Sequence, residues 1–178
     1  VRRTHLFGTH RVDGEIPEAQ SPDPYVVINE LMYNPFADPS DPADLGDRLE
    51  FIELYNLSPS EAVDLSGWRI EGVELTLPPG SVILPVGYLL VVQDDAAFRQ
   101  RYGPGRYVVA QYPGRLAGGG ERVALLDRAG RIVDEVVYDD KAPWPREPDG
   151  GGPSLELRRP ALDNALPESW AASGEAGG

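Results

Sequence analysis

The chain has 178 residues, 41% of them hydrophobic, with 20 Gly, 18 Pro, no Cys and a formal net charge of −13 at pH 7. That length holds one domain with a real core, and the missing cysteine excludes disulfides, thiolate metal sites and a cysteine nucleophile. The acidic surplus repels phosphate backbones, so nucleic acid is not expected as a partner without a local basic patch, while a hard cation such as Ca2+ would suit it.

Residues Val1–Gly14 carry Leu6 and Phe7 as their only bulky apolar groups and read as the end of a preceding domain or an extraneous remnant. Ile16–Pro24 is polar and rich in proline, which denies backbone donors, so residues 1–24 are an N-terminal segment and linker. The folded unit is expected over 25–172, with 173–178 a flexible tail. Inside it, short apolar runs alternate with turn signals at roughly ten-residue spacing, the pattern of an all-β sandwich or barrel.

In chain order the predicted strands are Val26–Met32, Arg48–Asn56, Gly67–Ile70, Val73–Leu77, Tyr88–Gln93, Arg106–Gln111, Arg122–Asp127, Ile132–Tyr138 and Ser154–Arg158, giving about 8–10 in all. A Pro- and Asp-rich loop follows the first, and a tight turn at Glu71–Gly72 joins the third and fourth. Tyr88–Gln93 is apolar on both faces and is expected at the centre of a sheet. Asp127–Arg131, with Gly130, reads as a hairpin link. One short helix is predicted near 95–102, capped by Asp94 or Asp95, with Phe98 and Tyr102 on one face and Gly103 ending it. The longest apolar run, around Val82–Val92, is broken by Pro85 and Gly87, so no membrane insertion is expected.

Seven stretches then resemble a known family in order and spacing: Ile28–Pro35, Glu50–Asn56, Val63–Ile70, Gly87–Asp94, Gly120–Asp127, Ile132–Asp140, and a closing group of Pro143–Pro145, Asp149–Glu156 and Pro167–Ser173. Together they are similar to a bacterial lamin tail domain, over roughly residues 26–173. The resemblance implies an immunoglobulin-like β-sandwich lacking the disulfide, appended to secreted or cell-surface proteins, often beside hydrolase, nuclease or kinase domains. The nuclear role of animal lamins does not carry over, since this chain has no coiled-coil heptads.

Three constellations hold candidate site residues. Asp38, Asp41, Asp44 and Asp47 recur every three residues; the spacing is not that of an EF-hand, leaving a looser Ca2+ site or a solvated loop whose aspartates cap turns. Glu30, Glu50, Glu53 and Asp134 lie on strands. Alternation puts Glu30 with Val26, Ile28 and Met32, so that it either points inward or sits at the strand's end, and a carboxylate among apolar neighbours must be paired or hydrogen-bonded. These four read as a structural network taking bonds from loop N–H groups or from Arg69, or else as metal ligands or a paired general acid and base. Asp139, Asp140 and Asp149 are the third set, able to converge on a cation with carbonyls of the Gly150–Gly152 run.

Trp144, between two prolines, is either a hydrophobic plug or a platform stacking on a sugar, with Tyr33 and Tyr112 as further stacking groups. Trp68 and Trp170 read as core. Gly118–Gly120 is a loop, because no Lys–Ser/Thr pair follows it. The only histidines, His5 and His10, precede the fold, so it holds no Ser–His–Asp triad and no His-ligated metal. Arg99, Arg101, Arg106, Arg158 and Arg159 read as solvated side chains at element ends.

The chain is therefore expected to be a non-catalytic interaction or anchoring module of a larger secreted or cell-surface bacterial protein. Its expected partner is another protein or an adjacent domain of the parent chain. The other reading is a module binding carbohydrate or a wall polymer and stabilised by Ca2+.

Overall fold

The computed structural model describes residues 25–37, 40 and 45–174. In chain order the strands are β1 (Val26–Met32), β2 (Phe51–Asn56), β3 (Val63–Asp64), β4 (Arg69–Glu71), β5 (Leu75–Thr76), β6 (Val82–Ile83), β7 (Tyr88–Val92), β8 (Val108–Gln111), β9 (Gly120–Leu126), β10 (Ile132–Asp139), β11 (Leu155–Leu157) and β12 (Trp170–Ala172). The helix α1 (Asp95–Tyr102) lies between β7 and β8. The strands without a predicted counterpart are the two-residue β3 and β6 and the three-residue β12, all too short to leave an alternating pattern.

A six-stranded sheet has the order β12-β11-β1-β2-β7-β8, a four-stranded sheet the order β10-β9-β4-β5, and β3 pairs with β6. All pairings are antiparallel except β7 with β8. The two larger sheets pack as the layers of an immunoglobulin-like sandwich. Val26, Ile28, Ile52, Leu54, Leu89 and Val91 from one layer meet Ile70, Val123, Leu125 and Val136 from the other in one buried cluster. Trp68 and Trp170 are in the same cluster, the latter donating from its indole N–H to the Asn164 carbonyl at 2.8 Å.

A second, smaller cluster lies on the outer face of the six-stranded sheet, where Phe98 of α1 covers Met32, Phe51, Leu90 and Val92. Asp94 caps the helix by accepting from the Ala97 N–H at 2.9 Å, and Gly103 ends it. The double-sided apolar character of β7 thus has a different cause from the one expected. β7 is next to the edge strand β8, and its outward Leu90 and Val92 are buried by the helix rather than by a central position. The predicted strand from Arg48 also begins later, because Gly46–Leu49 forms a 3₁₀ turn.

The Asp127–Arg131 link is a hairpin between β9 and β10, its tip held by the Asp127 carboxylate accepting from the N–H groups of Ala129 at 2.8 Å and Arg131 at 2.9 Å. At the other end of β9, Gly120 has φ +100°, and a Cβ there would stand 2.6 Å from the Tyr138 carbonyl oxygen. Ser173 donates its N–H to the Ser154 carbonyl and accepts from the Ser154 N–H, so ordered contacts reach one residue into the expected tail.

Candidate functional site

The sequence pattern of β1 is broken by a bulge. Its register against β2 shifts between Ile28 and Glu30, and the extra residue is Asn29. Val26 and Ile28 point into the core before it, and Leu31 and Tyr33 after it. Glu30 therefore leaves the face it was expected to share with Val26 and Ile28 and emerges with Met32 on the outer face, because one inserted residue reverses the alternation.

There Glu30 stands between Glu156 of β11 and Glu53 of β2, its Cα partners on the two adjacent strands. Glu30 accepts from the Ser154 hydroxyl, and Glu53 accepts from Asn29 Nδ2 at 2.9 Å. Burial pushes the Glu30 carboxyl up, the Ser154 bond opposes this, and the Glu156 charge adds to it. Burial, then the Glu30 charge, raises Glu53 to about 7. The positive charge of Arg106, which lies over the Tyr102 ring at 5.7 Å, works against both.

The next outward row is aromatic. Tyr55 of β2 and Tyr88 of β7 are cross-strand partners with ring centroids 4.7 Å apart. Beyond them Leu84, Pro85, Val86 and Gly87 make a turn closed by the Gly87 N–H on the Leu84 carbonyl at 3.0 Å. Val86 takes φ 46°, a region β-branched residues avoid, at a turn position that normally holds glycine. Leu84, Val86 and Tyr88 are 65%, 56% and 52% exposed, and Tyr25, at the start of the sandwich, 41%. Sequence reasoning missed this strip; its one local signal was the Pro85–Gly87 turn, since exposure of apolar residues is not written in a pattern.

The other two strand carboxylates face the protein's own backbone. Glu50, 2% exposed, accepts from the Leu116 N–H at 2.8 Å, and burial raises it to about 7. Asp134 accepts from the Ile28 N–H at 2.7 Å and from Asn164 Nδ2 at 2.6 Å, tying the two sheets and the C-terminal segment together; burial raises it to about 6.

The aromatic stacking expectation is corrected. Tyr33 and Tyr112, each 2% exposed, are core residues, and Trp144 at 8% plugs the end of the sandwich against Trp170, ring centroids 6.2 Å apart. Burial of the Tyr33 and Tyr112 rings removes the open faces that a sugar would need. Trp144 does border a groove of about 440 Å3 with Pro143, Pro145, Arg158, Pro167 and Trp170.

Asp38, Asp41 and Asp44 lie outside the described residues, as do His5 and His10. Asp47 pairs with Arg115, Asp140 with Lys141 at 3.0 Å, and Asp149 accepts from Asn34 Nδ2 at 2.6 Å. Asp139 accepts from the Lys141 N–H at 2.9 Å. Among the described residues no three Asp, Glu or His side chains converge as a metal cage. The charges of Asp149, Asp140 and Asp139 do all reach the Tyr33 hydroxyl, which is buried without a hydrogen-bond partner. Of the arginines at element ends, Arg99 pairs with Asp95 at 2.9 Å, Arg106 lies over Tyr102, and Arg158 donates to the Glu168 carbonyl at 3.2 Å. Among the described residues no helix is long and apolar enough to cross a membrane.

A two-layer sandwich with one sheet face half roofed by a helix defines an immunoglobulin-like domain. The model of the Lamin Tail Domain family matches residues 19–140, and the chain belongs to that family. Comparison with curated proteins gives no match. The matched stretch ends after β10, yet β11 and β12 continue the same six-stranded sheet across β1.

Proposed function

We propose that this domain is a non-catalytic interaction or anchoring module of a larger secreted or cell-surface bacterial protein, binding a partner protein or a neighbouring domain of its own chain. The observation that supports it is the exposed apolar strip of Tyr25, Leu84, Val86 and Tyr88 beside the open sheet face. Large apolar groups left exposed at one turn and the strand after it, as Leu84, Val86 and Tyr88 are, mark contact surfaces, and a strained residue such as Val86 is retained where the shape it imposes is used. The secreted bacterial setting rests on the resemblance of the seven motif stretches to bacterial lamin tail domains. The test is crosslinking from the Tyr88–Val86 end, with the domain presented to surface proteins of the source cells and to the rest of its parent chain. Saturable crosslinks to one protein support the reading. Saturable binding to a purified wall polymer, with none to protein, overturns it.

The polymer reading keeps one foothold, the groove beside Trp144, and a glycan array with Trp144→Ala tests it: binding unchanged by the substitution removes that foothold. Ca2+ stabilisation is proposed for the acidic surface carrying Asp139, Asp140 and Asp149, whose charges reach Tyr33 without converging as a cage. Millimolar Ca2+ after EDTA treatment is then expected to raise Tm by a few degrees through binding to the native state alone. An unchanged Tm returns these carboxylates to their protein partners.

A further inference from the structure

The open half of the outer sheet face has features that sandwich formation does not call for. Glu156, Glu30 and Glu53 stand side by side on three adjacent strands, and like charges directly opposite one another weaken a sheet. The donors they receive are one hydroxyl, from Ser154, and one amide, from Asn29. Asn29 is itself only 4% exposed and aimed into the row through its bond to Glu53, yet its Oδ1 is buried with no partner. The row is thus oversupplied with acceptors and short of donors. Directly beside it lie the Tyr55–Tyr88 pair and the exposed turn at Val86.

We propose that this face binds a lysine- or arginine-bearing segment of a partner protein, the cation seated against Glu156, Glu30 and Glu53 and the adjoining apolar side chains against Tyr55, Tyr88 and Val86. The proposal rests on the interaction-module reading and names its surface and the chemistry of its partner. Ammonium and guanidinium groups carry only donors, which is what the row lacks. Their aliphatic stems lie well on aromatic faces, and the cation is attracted by the ring quadrupole. Arg106 over Tyr102 already shows a guanidinium of this chain on such a ring at the border of the row. A net charge of −13 further favours approach of a basic segment and disfavours nucleic acid.

The test uses the full chain, isotopically labelled, titrated with short oligolysine and oligoarginine peptides carrying flanking leucines, and with an oligoglutamate peptide of the same design. The basic peptides are expected to shift the amide signals of Glu30, Glu53, Tyr55, Tyr88 and Glu156, and the acidic peptide none. The double variant Glu53→Gln, Glu156→Gln keeps side-chain shape and should weaken binding about tenfold or more, while Glu135→Gln on the four-stranded sheet leaves it unchanged. A melt of each variant verifies folding. No binding, equal binding by the double variant, or shifts spread evenly over the acidic surface overturns the proposal. So does saturation of the same signals by Ca2+ alone, which would assign the row to a metal. If the peptides fail while crosslinking finds a saturable protein partner elsewhere on the sandwich, only this docking face falls. If both fail, the interaction reading falls with it.

Discussion

Two groups of acidic side chains sit in this sandwich, alike in their raised pKa and unlike in what surrounds them. Asp134 and Glu50 accept backbone N–H groups from Ile28 and Leu116, so each carboxylate closes a gap in the main-chain hydrogen-bonding of another segment. Among the described residues Glu30 and Glu53 are met by side-chain donors alone, Ser154 and Asn29, and they face each other as well. Burial raises both groups, so the direction of a pKa shift does not separate architecture from a binding surface. The identity of the donors does. A carboxylate that satisfies the chain's own backbone is structural, and one that faces other carboxylates is held at a cost to the fold.

That contrast is sharpest in the effect of removing each side chain. Asp134→Ala should lose about 3 kcal/mol in urea denaturation, since it leaves the Ile28 N–H and the Asn164 amide without an acceptor. A loss under about 1 kcal/mol would erase the distinction. Next is pH. Glu50 and Glu53 rise from 4.5 to about 7 on folding, and Asp134 from 3.8 to about 6. Between the unfolded and folded values the native state holds protons that the unfolded chain has released. The stability these groups supply in acid is therefore lost as pH rises through that window. Asp94 and Asp127, whose pKa values are lowered by bonds from Ala97 and Arg131 respectively, act oppositely and at lower pH. Tm should therefore peak in mild acid and fall by about 5 °C toward mildly alkaline pH; a Tm that climbs over the same range contradicts the assignment.

A smaller effect of the opposite sign is expected from Glu53→Gln, which removes one of the facing charges but keeps an acceptor for Asn29. It should gain about 1 kcal/mol at neutral pH and flatten the upper part of the pH profile, and a net loss would make Glu53 structural like Asp134. The roofed half of the same face supplies the smallest effect. Asp94→Ala removes the α1 cap and the Arg48 pair and should cost about 1 kcal/mol by denaturation. A cost several times larger would mean that the helix supports the sandwich rather than covering one patch of it.

Much of this fold was legible because its elements are governed by local rules. Alternation marked β2, β9 and β10, and Asp94, Phe98, Tyr102 and Gly103 marked α1 from cap to stop. What escaped was set by tertiary context. No residue type announces a bulge at Asn29, so the face of Glu30 was misassigned. Apolarity on both sides of β7 records that something covers each face, and says nothing of whether that cover is a strand's neighbours or a helix. Tyr33 and Tyr112 follow strand ends, where an aromatic ring is as well suited to closing a core as to lining a surface. The carboxylate row needed the register of three strands, one of them more than a hundred residues downstream of the first.

That distant pairing governs the order in which the molecule can be completed. Within the sandwich β1 is made before the other strands and gains β2 as one neighbour soon afterwards, but its other edge is closed only by Leu155–Leu157, made after β2 to β10. Until then β1 offers a free strand edge, open to pairing with any other extended chain. The Trp170 side chain, fully buried and bonded to Asn164, secures the closing strands once they arrive. A nascent chain stalled after β10 would have most of its hydrophobic core and still lack the seam that makes the sheet safe to expose, so the arrival of β11 and β12, rather than early collapse, is the step that commits this sandwich to its final form.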